Sequence, residues 1–260
     1  MDEQQRTTTA SGQPLPATRR RTAAAYADVR QSLVGEGPLV VSTVVGLAFV
    51  CLCAALIAAL IDDVSELDGV TEFDHRVLSW VLDHRTSAWT AAARTVTHLG
   101  DTWVIFAVTV VVSVALFRVR RFRLAWFVIL ATSGVAIASS AAKQAIDRAR
   151  PPTALWLGRA WGPSFPSGHA TQSIACWGAL AIVACALVSS RGWRAVYLTS
   201  AATVALVVGA SRIYLGVHWF SDVVCGWALA ALWLAILVLA GWSTPRLRIA
   251  LAHRVAPPTA

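Results

Sequence analysis

The chain has 260 residues, of which 57% are hydrophobic and only 14% are charged, and its mean hydropathy is +0.61. A soluble domain of this length carries more charge and fewer apolar residues. Several apolar runs approach or exceed the roughly 18 to 20 residues that cross a bilayer. The composition therefore excludes an ordinary soluble domain and predicts an integral membrane protein.

The net charge of +8 does not indicate a nucleic-acid partner. Arginines cluster beside apolar runs, at residues 19–21 and 118–123, where membrane topology and anionic headgroups favour them. A basic patch without a base-reading module is weak support for nucleic-acid binding, so no such partner is expected. The five cysteines all fall in apolar runs, which indicates neither a disulfide framework nor a zinc site.

Residues 1–37 are polar and are expected to form a poorly ordered cytoplasmic tail. The first apolar run, Pro38–Ile61, is too long for the core of a cleaved signal peptide and predicts an uncleaved signal-anchor span, with cleavage as the alternative. Five further spans are predicted, at Thr102–Phe117, Leu124–Ala142, His169–Ser189, Ala195–Ala210 and Trp219–Trp242. We thus expect an all-α, six-span bundle over residues 38–242, followed by a short cytoplasmic tail at 243–260.

The segment between the first two spans, about Asp74–Thr97, alternates apolar and charged residues at helical spacing. It is predicted to lie along the membrane interface with Trp80 and Trp89 at headgroup depth, or to be an ordinary surface helix.

The distribution of arginines orients the spans. With a cytoplasmic N-terminus, the loops and tails on that side hold fourteen arginines and the opposite side holds seven, and eight of the fourteen acidic residues lie on that opposite side within residues 62–101. The positive-inside rule therefore places both termini in the cytoplasm and the ends of the intervening spans outside.

Three polar stretches fall on that outer side. The first is "KQAIDRARP", in which Lys143, the only lysine in the chain, precedes Arg150 by seven residues and Pro151 follows. A basic residue at the end of a span is consistent with simple snorkelling to the interface. Alone, this stretch does not indicate a site.

The second stretch is "FPSGHAT", where Pro166 and Gly168 predict a turn directly before an apolar helix. The unpaired N–H groups and positive dipole at a helix N-terminus form an anion site, and Ser167 is placed as an N-cap or as a direct donor. The alternative is a plain capping turn whose His169 faces water.

The third stretch is "SRIYLGVHWFSD", in which Arg212 precedes His218 by six residues and Asp222 follows it by four. An i, i+4 pair shares one helix face, so Asp222 is predicted to hold one imidazole nitrogen and leave the other free as a nucleophile. A buried structural His–Asp pair is the alternative.

Together the stretches supply three cations, a helix N-terminus, a hydroxyl, two histidines and one carboxylate at one edge of the bundle. Cations and oriented N–H groups suit a phosphate dianion, and the histidines suit a nucleophile and a proton donor. One carboxylate is too few for a hard divalent metal. The set predicts phosphoryl transfer without a metal or another cofactor.

These residues resemble the type 2 phosphatidic acid phosphatases, the lipid phosphate phosphatase superfamily that includes the vanadium haloperoxidases. Its three signatures, K-x6-RP, PSGH and SR-x5-H-x3-D, match here without a departure within residues 143–222. The resemblance implies that His218 attacks phosphorus, that Asp222 holds His218, and that His169 protonates the leaving group. It further implies that the phosphoryl group is bound by Lys143, Arg150, Ser167, Gly168 and Arg212.

The resemblance implies a membrane enzyme that hydrolyses a lipid phosphate monoester or diphosphate through a phosphohistidine. Candidate substrates are undecaprenyl diphosphate, phosphatidylglycerophosphate and phosphatidic acid, and the arginine-rich, lysine-poor composition is typical of a GC-rich bacterium. A haloperoxidase and a non-catalytic lipid-binding or transport protein are the alternatives, and no oligomeric state is predicted. With His218 neutral and His169 protonated in the active form, a bell-shaped pH profile is expected. Asp147 and Arg148 are left outside the catalytic set, and His75, His84, His98 and His253 are expected to be interfacial or solvated.

Overall fold

The computed structural model describes residues 17–66 and 69–242 of the chain, with side chains described for 41–66 and 69–241. Within these residues all regular structure is helical, which confirms the predicted all-α class. The helices are α1 (Ala17–Glu66), α2 (Gly69–Asp83), α3 (Ser87–Thr97), α4 (Thr102–Arg118), α5 (Phe122–Ile146), α6 (Gly168–Leu187), α7 (Arg191–Tyr214) and α8 (Phe220–Trp242). Short 3-10 turns occupy His98–Gly100 and Thr153–Leu155. The predicted tail at 243–260 and the first sixteen residues lie outside the described residues, whereas 17–37 belong to α1.

Five helices in the described residues are long and apolar enough to cross a membrane: Val41–Glu66 of α1, α5, α6, α7 and residues Phe220–Gly241 of α8. The predicted second span corresponds to α4, which at 17 residues is short for a full crossing. Together with Ser87–Gly100 it forms a pair bent by 44°, which completes six spans if the pair counts as one.

Helices α1, α5 and α7 extend beyond their predicted apolar runs because the flanking residues are polar. α5 continues past Ala142 through Lys143 to Ile146, and α7 begins at Arg191 and continues through Arg212 to Tyr214. A prediction based on apolar runs stops before such polar ends, although the helix continues, because long basic side chains can extend from it to the interface or into a polar site.

The segment between the first two spans forms two helices rather than one. α2 ends at Asp83, and Thr86 caps α3 by accepting a hydrogen bond from the backbone N–H of Trp89. Trp80 and Trp89 are both exposed, whereas Asp74 of α2 is almost completely buried.

α6 is the central helix and packs against α5, α7 and α8. Small side chains predominate on its buried positions, which allows neighbouring backbones to approach closely. These positions are Ala170, Thr171, Ser173, Ala175, Cys176, Ala179, Ala181 and Val183.

α8 is fixed to α5 and to α7 by the same packing arrangement. Gly209 of α7 faces the indole of Trp227, whose Nε1–H donates to the carbonyl of Ala205 one turn earlier. Gly134 of α5 faces Trp233 in the same way, and that indole donates to the carbonyl of Leu130. A glycine and a carbonyl four residues before it thus make one slot for a tryptophan in each helix.

The first prediction concerns this slot. A Cβ at Gly209 would lie 2.3 Å from Cζ2 of Trp227, so Gly209→Ala should lower the free energy of unfolding by about 1–3 kcal/mol through overpacking. Gly192→Ala, in the same helix, meets no atom closer than 3.7 Å and should be neutral or stabilising. Thermal unfolding of the two variants in detergent checks this, and equal melting temperatures would contradict the packing account.

Candidate active site

The C-terminal end of α5 and the loop after it supply the first cations. Asp147 adopts the left-handed conformation (φ 47°) and ends α5, which turns the chain toward Arg148 and Arg150. The Nζ atom of Lys143 donates to the carbonyl of Pro163 at 2.8 Å, and Nη2 of Arg150 donates to the same oxygen at 3.1 Å. Both cations therefore hold the 151–167 loop by its backbone.

The side chain at the N-cap position of α6 does not cap the helix. Ser167 occupies the N-cap position, but its side chain makes no cap hydrogen bond and its buried Oγ has no partner among the described residues. The backbone N–H of Ser167 donates to the carbonyl of Asp222 at 2.9 Å, which ties α6 to α8. Of the two predicted roles for Ser167, this geometry favours the direct donor.

Arg212, near the C-terminal end of α7, is buried beside this turn. Its Nη1 donates to Thr97 Oγ1 at 3.0 Å and its Nη2 to the carbonyl of Arg159 at 3.2 Å. The buried Nε–H has no partner among the described residues, so one donor remains for an anion.

His218 and Asp222 form the predicted pair. Nδ1 of His218 lies 3.1 Å from Asp222 Oδ2, an oxygen that also accepts the backbone N–H of Trp219 at 2.9 Å. An ionised carboxylate can only accept, so Nδ1 carries the proton and Nε2 keeps its lone pair. Nε2 lies 3.0 Å from Nη1 of Arg150, a permanent donor, which fits the same tautomer.

The surroundings of His218 keep it neutral. Burial, the largest effect, and the positive charges of Arg150 and Arg212 lower its pKa to about 3, although Asp222 acts in the opposite direction. The free imidazole is therefore uncharged throughout the ordinary histidine range. A loss of activity at low pH that is caused by protonation of His218 is therefore expected well below the pH range in which a free histidine titrates.

His169, the second residue of α6, contacts a carboxylate that sequence reasoning did not assign to the site. Its Nε2 lies 2.9 Å from Oδ1 of Asp101, and Oδ2 of Asp101 lies 2.6 Å from Nδ1 of His98. His98 was expected to be interfacial or solvated, and its side chain is indeed exposed, but it is hydrogen-bonded to the site through Asp101.

A cavity of about 720 Å³ joins these groups. Six of the eight predicted site residues line it, while Ser167 and Asp222 are fully buried next to lining residues. The six are Lys143, Arg150, Gly168, His169, Arg212 and His218. All eight are thus brought to one end of the helix bundle.

Behind His218 is a buried ionic chain whose outer members sequence reasoning missed. Arg148 donates from Nη1 to Asp222 Oδ1 at 2.7 Å and from Nη2 to Asp74 Oδ2 at 2.8 Å. Asp74 also accepts from the backbone N–H and the hydroxyl of Ser221. Both carboxylates are fully buried and Arg148 is 9% exposed. The guanidinium bridges the two carboxylates, with one N–H on each, and so fixes the carboxylate of Asp222 that contacts His218.

Of the remaining histidines, the ring of His75 packs edge-on against Trp219, and Nδ1 of His84 lies 2.7 Å from the carbonyl of Trp80. His253 lies outside the described residues.

The second prediction concerns Arg148. Its replacement by alanine leaves two buried carboxylates without their shared cation, so Arg148→Ala should lower the free energy of unfolding by about 3–5 kcal/mol. Arg191→Ala, at the exposed start of α7, should change it by less than about 0.5 kcal/mol. Chemical unfolding in detergent measures both, and a wild-type midpoint for Arg148→Ala would show that the chain does not need this cation.

Comparison with known proteins places the chain. A model of the PAP2 superfamily matches residues 122–245, which contain all three polar stretches. Phosphatidylglycerophosphatase B of Bacillus subtilis (strain 168) is 31% identical over 142 residues, which are 53% of this chain and 68% of that protein.

Two crystal structures share the fold. One is described as the first transmembrane PAP2 type phosphatidylglycerolphosphate phosphatase from Bacillus subtilis. It has a TM-score of 0.63 at 21% identity, covering 82% of this chain and 98% of its own. LpxE of Aquifex aeolicus has a TM-score of 0.51 at 20% identity, covering 63% and 93%. The chain is therefore a membrane-embedded member of the PAP2 superfamily, as its three polar stretches predicted.

Proposed function

We propose that the protein hydrolyses a phosphate monoester or diphosphate of a lipid through a phosphohistidine on His218. The observation that carries this proposal is the position of the His218 ring, whose Nδ1 faces the Asp222 carboxylate and whose Nε2 faces Arg150 at the wall of the cavity. A neutral imidazole held by a carboxylate is an activated nucleophile. The cations and the α6 N-terminus supply the charge that a phosphoryl group requires.

Arg150 lies in front of Nε2 of His218. Its Nη1 donates to Nε2 of His218 and to the carbonyl of Val217, and its other nitrogens donate to loop carbonyls. When a phosphoryl group binds, these donors transfer to its oxygens, and phosphorus takes the place in front of Nε2. Lys143, Arg212, Ser167 Oγ and the N–H of Gly168 donate to the remaining oxygen positions.

The reaction then proceeds in two steps, phosphoryl transfer to His218 and hydrolysis of the phosphohistidine. Nε2 of His218 attacks phosphorus, the P–O bond to the leaving group breaks, and the leaving oxygen takes a proton from His169. Asp222 stabilises the positive charge that develops on the His218 ring. In the second step His169 takes a proton from water, the resulting hydroxide attacks phosphorus, and the P–N bond breaks to release phosphate and regenerate Nε2.

Two observations support a lipid as the substrate. Trp103 and Trp161 line the cavity and are 81% and 80% exposed, and exposed indoles of this kind are typical of headgroup depth. One of the similar structures is described as transmembrane, and the names of two relatives specify phosphatidylglycerophosphate as what they act on. Phosphatidylglycerophosphate, undecaprenyl diphosphate and phosphatidic acid are the candidate substrates.

The proposed setting is the cytoplasmic membrane of a bacterium. The arginine distribution favours cytoplasmic termini, which turns the cavity toward the outer leaflet. The bacterial relative supports the bacterial assignment.

The third prediction tests the proposal directly. Purified protein in detergent should release phosphate from at least one of the three candidate lipids in the presence of EDTA, because the reaction uses only side chains. His218→Ala should reduce release by at least about 10³-fold. His84→Ala replaces an exposed histidine outside the cavity and should retain wild-type activity. Folded protein that releases no phosphate from any of the three lipids, or release that persists in His218→Ala, would contradict the proposal.

A further inference from the structure

Asp101 stands at the N-cap position of α4, but its side chain does not cap that helix. An aspartate at this position normally accepts a backbone N–H from the first turn. Here both carboxylate oxygens are turned to imidazoles instead, Oδ1 to Nε2 of His169 at 2.9 Å and Oδ2 to Nδ1 of His98 at 2.6 Å. The carboxylate is therefore committed to the site rather than to its own helix.

The chain before Asp101 is built for a close approach to α6. A Cβ at Gly100 would lie 2.6 Å from Cγ1 of Val208 and 3.2 Å from Cδ2 of His169, so only glycine fits between α6 and α7 here. The indole of Trp177 on α6 donates to the carbonyl of Leu99 at 3.1 Å and fixes the turn. These contacts hold the Asp101 carboxylate against His169.

The charges around His169 give this carboxylate a chemical role. The positive charges of Arg212 and Arg150 act on His169, and Asp101 is the anion that contacts it. Burial alone would raise the pKa of Asp101, but hydrogen bonds and charge interactions with His98 and His169 together lower it below its usual value. An ionised Asp101 thus offsets the positive surroundings in which an imidazolium must exist.

We propose that Asp101 is the positioning residue for proton transfer by His169, holding Nε2–H so that Nδ1 is the nitrogen that exchanges protons with the reacting groups. The proposal rests on the proposed function of His169 as the acid. Within the described residues Nδ1 of His169 has no hydrogen-bond partner, and the ring lines the cavity.

This tautomer determines how His169 gives up and regains a proton during the reaction. The imidazolium gives its Nδ1 proton to the leaving oxygen as the P–O bond breaks and its electron pair passes to oxygen. The neutral ring that remains keeps Nε2–H on Asp101, so Nδ1 is ready to accept the proton of the attacking water. The two histidines are therefore held in opposite tautomers, His218 by Asp222 at Nδ1 and His169 by Asp101 at Nε2.

The fourth prediction uses the leaving group as the readout. An alkyl phosphate needs a proton on its leaving oxygen, whereas 4-nitrophenyl phosphate leaves as a stable anion. Asp101→Asn should lower kcat/KM for dodecyl phosphate by at least about tenfold, as part of the 10²–10⁴-fold effect of general acid catalysis, and for 4-nitrophenyl phosphate by less than threefold. Asp83→Asn, an exposed carboxylate at the end of α2, is the matched control and should leave both values unchanged. Equal losses on the two substrates, or no loss on either, would overturn the proposal.

A second measurement decides the tautomer whether or not the protein is active on these substrates. In ¹⁵N-histidine spectra, the neutral ring of His169, assigned with His169→Ala, should show Nε2 protonated and Nδ1 unprotonated, and Asp101→Asn should remove that preference. A neutral ring protonated at Nδ1 in the wild type would overturn the role of Asp101. Wild-type protein that hydrolyses neither phosphate but shows the expected spectrum would instead refute the proposed function of His169.

Discussion

The site depends on one buried interaction, the guanidinium of Arg148 held between the carboxylates of Asp222 and Asp74. Charges buried in this way are strongly destabilising unless each is paired and hydrogen-bonded. Both carboxylates here accept several donors, from Arg148 and Ser221 and from the backbone of Trp219 and Ser221. The pairing lets Asp222 remain ionised next to His218, and that carboxylate in turn fixes the tautomer of His218.

The same interaction connects the site to the segment before the second span. Asp74 belongs to α2, whereas Arg148 belongs to the loop after α5 and Asp222 to α8. Helix α2 is thus anchored to the end of the bundle that holds the candidate site by an ion pair as well as by apolar packing. A second carboxylate from the same stretch of chain, Asp101, reaches His169. The region between the first and second spans therefore supplies two carboxylates, Asp74 for the ion pair behind His218 and Asp101 for the contact with His169.

The sequence predicted much of this arrangement because the key groups are local patterns. Asp222 lies four residues after His218 in the first turn of α8, and Ser167 lies directly before α6, so spacing alone predicts the contact of Asp222 with His218 and the N-cap position of Ser167. The three polar stretches were predicted to meet at one end of the bundle because successive spans run in opposite directions across the membrane. The spans were found from apolar runs, which missed the polar ends of α5 and α7, and of these ends those at Lys143 and Arg212 lie at the site.

What could not be predicted depends on tertiary contacts. Arg148 lies within the first polar stretch, but the K-x6-RP signature does not specify the residue at this position. No neighbouring residue in the sequence identifies Arg148 as the partner of Asp222. Asp74 and Asp101 are two of eight acidic residues between 62 and 101, and the sequence offers no reason to select them over the exposed Asp83. His98 was expected to be solvated since its partner, Asp101, had no assigned role. Only the packing of α2 and of the 98–100 turn against α6 to α8 distinguishes these residues.

The proposed covalent bond between His218 and phosphorus is tested by rapid quenching after the protein is mixed with a ³²P-labelled lipid phosphate. A phosphohistidine at this position should give a phosphoprotein that is labile to acid and stable to alkali, with the label on the peptide that contains His218 and no label in His218→Ala. Phosphate release that proceeds without any labelled protein, or a label on a different residue, would contradict it.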